Sequence, residues 1–283
     1  MQKIFLCAIN NILSGNCNED CKFCTQSLRH KADIERYRFK DTKTIIQEAK
    51  EAKANGAIGY CLVTAGKGLD DSKCEKVAAI ATAIKNEIES FNLIACNGTA
   101  TKEHLKYLKE HGVDSYNHNL ETSQEYYPHI CTTHSWQERY ETIINAKEAG
   151  LKVCSGGIFG MGESRADRES LIESLIALNP ESIPLNFFIP NPSLPIKQRD
   201  IGYKEALEII KTLRAKLPQT RIMVAGGREQ LFENEEQELA MFKAGANAIV
   251  IGNYLTAKGL APGLDRDRLK RLGLKIATNC NDK

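Results

Sequence analysis

A helix, a glycine and a short apolar run follow one another four times, and this repeat limits what the chain can fold into. The glycines are Gly56, Gly112, Gly150 and Gly245. Each follows a stretch with helical spacing, at 42–55, 101–111, 135–149 and 233–244. Glycine at that place ends a helix in the left-handed conformation without a Cβ clash. The runs that follow, AIGYCLV, VDSYNHN, LKVCSGG and ANAIVIG, read as strands. Further helices are expected at 75–89, where Val77, Ile80, Ala81, Ile84 and Ile88 share a face, at 165–178 and at 203–216. Further strands are expected at FNLIAC, SIPLNFFI and TRIMVAGG, and near residues 4–10. Strands alternating with helices imply right-handed crossovers and a parallel sheet. The expected fold class is α/β, a (β/α)8 TIM-type barrel with its sites inside it and at the C-terminal ends of the strands. An open doubly wound sheet is the alternative.

The length of 283 residues suits such a barrel, since closed α/β barrels often fill about 250 residues as one domain. No Pro- or Ser-rich linker divides the chain, so residues 1–283 are expected to form one domain. Its core would span 4–252, with a charged C-terminal extension at 253–283 lying outside the barrel. IPNPSLP at 189–195 follows a strand and reads as a functional loop. No apolar run approaches the roughly 20 residues a bilayer requires, and a net charge of +2 gives no field for nucleic acid or anionic membranes. MQKIFLCAINNILSG lacks a long apolar core and a small-residue cleavage site, so a cytosolic location is expected.

Ten cysteines are unusual in that compartment, where thiols stay reduced. Burial as small hydrophobes accounts for several. It does not account for three within eight residues of a polar loop, CNEDCKFC at 17–24. Thiolates are soft ligands for iron–sulfur clusters and zinc. A closed zinc site or a four-cysteine cluster would need a fourth ligand nearby, and only His30 is close in sequence. Three ligands on a four-iron cluster leave one iron open, able to chelate the amine and carboxylate of S-adenosylmethionine (SAM). A three-cysteine zinc loop completed by a distant ligand is the other reading. Cys61, Cys96 and Cys154 lie in three different expected strands. In a barrel, inward residues from such strands converge, so three thiolates could hold a second cluster. They could equally be core cysteines.

The C-x3-C-x2-C spacing of Cys17, Cys21 and Cys24 resembles the signature of radical SAM enzymes, with Phe23 in the aromatic place expected beside adenine. CNEDCKFCTQS, YNHNLET at 116–122 and KVCSGGIFGMGE at 152–163 together resemble biotin synthases, as do CTTHSWQER, IPLN and AGGREQ. The resemblance runs from about residue 14 to about residue 275. It implies conversion of dethiobiotin to biotin by radical sulfur insertion, with two SAM cleaved to 5′-deoxyadenosine and methionine. By resemblance, Cys17, Cys21 and Cys24 match the ligands of a [4Fe–4S] cluster. Cys61, Cys96 and Cys154 match those of an auxiliary [2Fe–2S] cluster that donates the sulfur. The family's fourth auxiliary ligand is an arginine five residues before the arginine of GRE. Here that position is Met223, and Arg221 lies two residues earlier on the same strand face. Arg221 is the expected ligand, with Met223 the alternative.

Asn117 and Asn119 share a strand face, and an amide offers the donor and acceptor a ureido ring needs. By resemblance, Asn119 and Asn186 sit near substrate, Glu121 matches an acidic ribose contact, and Arg139 lies near SAM. Asn117 and Ser155 are further candidate substrate contacts. Gly157 and Gly160, within the glycine-rich SGGIFGMGE, are expected to let backbone approach the cofactor. His104, His111, His118, His129 and His134 show no metal-ligand spacing. The family also implies a homodimer and a flavodoxin or ferredoxin as electron donor. Among relatives with this barrel, a hydrogenase-cofactor maturase or a methylornithine synthase would not need all three strand cysteines together with YNHNLET. A zinc- or cluster-binding sensor would not cleave SAM.

Overall fold

The computed structural model describes residues 3–280. The elements run β1 (Lys3–Leu13), α1 (Thr42–Ala54), β2 (Gly59–Thr64), α2 (Asp71–Glu87), β3 (Asn92–Cys96), α3 (Lys102–Glu110), β4 (Ser115–Asn117), α4 (Tyr127–Ile130), α5 (Trp136–Glu148), β5 (Lys152–Cys154), β6 (Gly157–Phe159), α6 (Arg165–Leu178), β7 (Ser182–Phe187), α7 (Tyr203–Lys216), β8 (Arg221–Val224), α8 (Arg228–Leu231), α9 (Glu235–Ala244), β9 (Ala248–Val250), α10 (Pro262–Arg271) and β10 (Lys275–Ile276). All named strands pair in parallel, and β1 pairs with both β2 and β9, so the sheet closes. β5 and β6 are halves of one strand interrupted at Ser155 and Gly156, and both pair with β7. Counting them once, the barrel has eight strands, and the open-sheet alternative is out. No helix among the described residues is long and apolar enough to cross a membrane.

Local chemistry sets the helix limits. Asp41, Asp70, Thr101, Ser135 and Ser164 accept hydrogen bonds from the first turns of α1, α2, α3, α5 and α6. These bonds satisfy amides that the helix itself leaves open. Gly56, Gly112, Gly150 and Gly245 all have φ between 76° and 123°, the conformation expected of helix-ending glycines. The break between β5 and β6 has a different origin. A Cβ on Gly156 would lie 1.9 Å from the Pro184 carbonyl oxygen, so only glycine lets β7 approach there.

Alternate residues of each strand face opposite ways. On β1, Ile4, Leu6 and Ile12 join the core between sheet and helices. Phe5, Cys7 and Ile9 belong instead to two small clusters apart from that core. Phe5, Ala248 and Ala277, with Ile58 and Met223 against them, form a floor. Cys61, Val63 and Ile94, with Cys7, Ile9 and Cys96, form the second cluster.

The C-terminal extension does not simply lie outside the barrel. Tyr254–Ala257 line the central cavity, and Asn11 donates to the Leu255 carbonyl at 3.1 Å. β10 then pairs with the start of β1, and Ala277 packs against the floor. The apolar floor favours the return, since Ala277 adds to the cover over Phe5. Arg228 fastens the extension. Its guanidinium is 1% exposed, meets Asp265 of α10 at 2.6 Å and Glu229 at 3.1 Å, and bonds Glu238 of α9.

Candidate active site

A cavity of about 380 Å³ occupies the barrel axis, within the range of small-molecule sites. Phe23, Cys61, Cys96, Asn117, Asn119, Glu121, Cys154 and Asn186 line it, as expected from sequence positions scattered over six segments. Strand register produces this convergence: Asn117 of β4 sits opposite Cys154 of β5, and Val63 of β2 opposite Cys96 of β3. Ile189, Asn191 and Leu194 bring the proline-rich loop to the same cavity. Cys61 and Cys96 share a hydrogen bond, which pushes Cys61 up and holds Cys96 down. Burial pushes Cys154 up to about 12. Protonated, these thiols are poor ligands; binding iron must displace their protons.

The loop carrying Cys17, Cys21 and Cys24 follows β1. Its backbone is fixed by Leu28 N–H donating to the Cys17 carbonyl at 2.8 Å and by Cys24 N–H donating to the Cys21 carbonyl at 3.0 Å. Burial pushes the Cys24 thiol up to about 11, and Cys17 adds to it. Cys21 Sγ lies 3.6 Å from Cys131 Sγ. Cys131 in turn lies 3.3 Å from His134 Nδ1, and the three ligand atoms fall within 4.8 Å of one another. The Cys21 hydrogen bond pulls the Cys131 thiol down to about 4, against burial, with His134 assisting. His134 also pairs with Glu19 at 2.6 Å. The sequence reading left His134 without a role. The C-x2-H spacing of Cys131 and His134 was its available signal.

Polar atoms around the cavity divide into committed and unpaired. Asn119 Oδ1 accepts from Gly156 N–H at 3.1 Å. Asn186 accepts from Gly226 N–H at 3.0 Å and donates to the Gly157 carbonyl at 3.3 Å, so its amide is fixed between strands. Asn117 donates to Cys96 Sγ at 3.4 Å. Asn117 Oδ1, Glu121 Oε2 and Ser155 Oγ are buried with no hydrogen-bond partner among the described residues. A buried polar atom without a partner can be satisfied by a ligand or a water, and these three flank the cavity side chains already named. Glu121 Oε1 takes Arg139 at 2.9 Å, yet burial still raises its carboxyl above the usual range, with Arg139 opposing. Glu121 also holds φ at 70°, which glutamate rarely adopts.

Gly157, Gly160 and Arg221 are absent from the cavity lining, as are Arg139, which reaches it through Glu121, and Ser155, which is fully buried. Gly160 turns the chain before α6, where its N–H donates to Glu163 at 2.7 Å beside Ile201. Gly157 is confined by the Glu121 carbonyl oxygen, 2.7 Å from any added Cβ. Arg221 stacks over the Phe5 ring at 4.3 Å and donates to the Cys280 carbonyl. It is absent from the cavity wall, where Met223 appears instead.

Residues 11–175 match the Radical SAM superfamily, and residues 184–275 match the Biotin and Thiamin Synthesis associated domain. The second match supplies β7, β8 and β9, so both stretches are needed to close the barrel. The chain is 64% identical over 281 residues to a biotin synthase of a Sulfurovum species, covering 99% of this chain and 98% of that one. It is 54% identical over 280 residues to a biotin synthase of a Nitratiruptor species, covering 99% and 100%. A biotin synthase of Helicobacter pylori (strain J99) is 51% identical, covering 99% and 100%. An FeFe-hydrogenase maturase from Carboxydothermus hydrogenoformans superposes with TM-score 0.82 at 18% identity, over 96% of this chain and 67% of that one. A methylornithine synthase does so with TM-score 0.79 at 22% identity, over 97% and 84%. At such identities these structures speak for the barrel alone.

Proposed function

Since the chain belongs to the biotin synthase family of radical SAM enzymes, we propose that the cysteine loop and the barrel cavity are the two halves of its active site. The enzyme converts dethiobiotin to biotin with SAM, a [4Fe–4S] cluster and a [2Fe–2S] cluster. When bound, the first cluster supplies the electron that cleaves SAM and the second supplies the sulfur. Cys17, Cys21 and Cys24 would hold the first, and Cys61, Cys96 and Cys154 the second. The observation that carries this assignment is the meeting of Cys61, Cys96 and Cys154, from three strands, in one cavity beside Phe23 of the loop.

The protein groups fit these ligands. Glu121 Oε2 is a free buried acceptor, suited to a ribose diol, and Arg139 fixes the other oxygen. Asn117 Oδ1 can accept from a ureido N–H, and Ser155 Oγ can donate to its carbonyl. Asn119 and Asn186 hold the glycine-rich strand and the β8 loop at fixed distance from the ligands. Ile9, Ile94 and Val63 line the wall with hydrocarbon, which excludes water from the reacting carbons. Electron supply from a flavodoxin or ferredoxin and assembly as a homodimer are family properties that we extend to this chain.

The test is an anaerobic reaction with dethiobiotin, SAM and a reductant, read by mass spectrometry. Cys17→Ala, Cys21→Ala or Cys24→Ala is expected to abolish both biotin and 5′-deoxyadenosine. Cys61→Ala, Cys96→Ala or Cys154→Ala is expected to abolish biotin while SAM cleavage survives. Wild-type 5′-deoxyadenosine yield from a loop variant would remove that cysteine from the site.

A further inference from the structure

We infer that Cys7 is the fourth protein ligand of the cluster inside the barrel, completing an all-thiolate set with Cys61, Cys96 and Cys154. The inference rests on the reading above that the barrel holds a second cluster. Cys7 is an inward residue of β1 and lines the same cavity as the other three. It packs in one cluster with Cys61 and Cys96. Register explains how its sulfur reaches them. Cys7 sits opposite Gly59 on β2, two residues before Cys61. A Cβ at Gly59 would lie 2.5 Å from Cys7 Sγ, so the thiol fills the space that the missing side chain leaves.

The two residues on β8 are poorer candidates. Met223 packs with Phe5, Ala248 and Ala277 in the floor, apart from the cysteine cluster. Its thioether is also a weak acceptor beside a thiolate. Arg221 is engaged by Phe5 and the Cys280 carbonyl. A guanidinium carries five donors and no acceptor, so it offers iron no lone pair without losing a proton. Four cysteine thiolates are an ordinary ligand set for a [2Fe–2S] cluster. Ligation replaces the Cys7 S–H bond by an S–Fe bond. The proton leaves to solvent and no electron moves, so no oxidant is required.

The experiment isolates the barrel cluster in a full-length chain with Cys17, Cys21 and Cys24 all changed to Ala, reconstituted anaerobically with ferrous iron and sulfide. Iron and sulfide analysis, visible absorption and Mössbauer spectra are the readouts, with far-UV circular dichroism confirming the fold. In that background Cys7→Ala is expected to lose most of the barrel iron and its absorption. Cys7→Ser is expected to keep a cluster with one altered iron site, because an alkoxide oxygen replaces sulfur. Met223→Leu, Arg221→Met and Cys280→Ala are expected to keep wild-type iron content. Alkylation of the unaltered chain gives a readout without substitution: Cys7 should react with iodoacetamide in the metal-free protein and be protected once loaded. Full iron content and an unchanged spectrum in Cys7→Ala would overturn the inference, as would equal alkylation in both states. Iron loss in Met223→Leu, Arg221→Met or Cys280→Ala but not in Cys7→Ala would move the ligand to that residue. A parent variant that binds no iron would instead defeat the two-cluster reading itself.

Discussion

Glu121 combines three properties that set it apart from the other acidic residues: burial, a left-handed backbone and one unpaired oxygen. Unusual backbone at a buried polar residue persists where the surrounding structure forces it, commonly at ligand sites. Glu121→Gln keeps the shape and removes the charge. A hydrogen bond to a charged group contributes about 1.5–3 kcal/mol, so SAM affinity should fall roughly 10–100-fold. Equilibrium dialysis on reconstituted protein measures it, and an unchanged Kd would remove Glu121 from the SAM site. At this scale the sequence was informative where side chains cluster along the chain, as at Cys17, Cys21 and Cys24. Cys61, Cys96 and Cys154 needed a resemblance, since each alone looks like a core thiol. Cys7 was overlooked for that reason: its neighbours come from β2, β3 and β5, and within its own strand it sits in the apolar run IFLCAI. Arg221 and Met223 share a strand face, yet only Met223 lines the cavity, because a shared face does not fix the depth at which a side chain ends.

Helix ends were the most legible feature among the elements, since capping is local chemistry. Gly112 has φ of 96°, and a Cβ there would meet only the flexible Lys85 side chain. The cost of Gly112→Ala is therefore backbone strain, about 1–2 kcal/mol, to be read from the urea midpoint of unfolding. The capping box of α5 predicts a pH effect. Glu138 reaches back to Ser135 and pairs with Lys67 at 2.8 Å. The Lys67 bond above all holds its carboxyl down from 4.5 to about 2. A lowered carboxyl contributes stability above its unfolded pKa and loses it as pH falls toward the folded one. Glu138→Gln should thus cost less than about 1 kcal/mol at neutral pH, as exposed pairs do. Its thermal midpoint should converge on the wild type's between about pH 4.5 and 2. The interruption between β5 and β6 was not legible, because the contact that demands Gly156 comes from Pro184 on another strand.

For the whole molecule, the strand–helix alternation was enough to predict the closed barrel, whereas the route of the C-terminal tail was hidden. That tail is charged, yet it is held by the buried Arg228 contacts and by pairing along β1. Arg228→Met should destabilise the protein by about 3–5 kcal/mol, because buried Asp265 loses its ion-pair partner and Glu238 keeps only Arg268, at 3.2 Å. A loss below about 1 kcal/mol in chemical denaturation would show that the two carboxylates take up protons at little cost. Closure also sets an order of events during synthesis. β1 is made first, but its second barrel neighbour, β9, leaves the ribosome about 240 residues later, and β10 later still. At about 5–20 residues per second the first strand waits roughly 10–50 s with one edge bare. Throughout that interval Cys7 and Phe5 face an unfinished wall, and the interior can be reached from the side. Once Ala277 settles against Phe5, that side of the barrel is covered. The seam that carries Cys7 is thus the last part of the cavity wall to be completed.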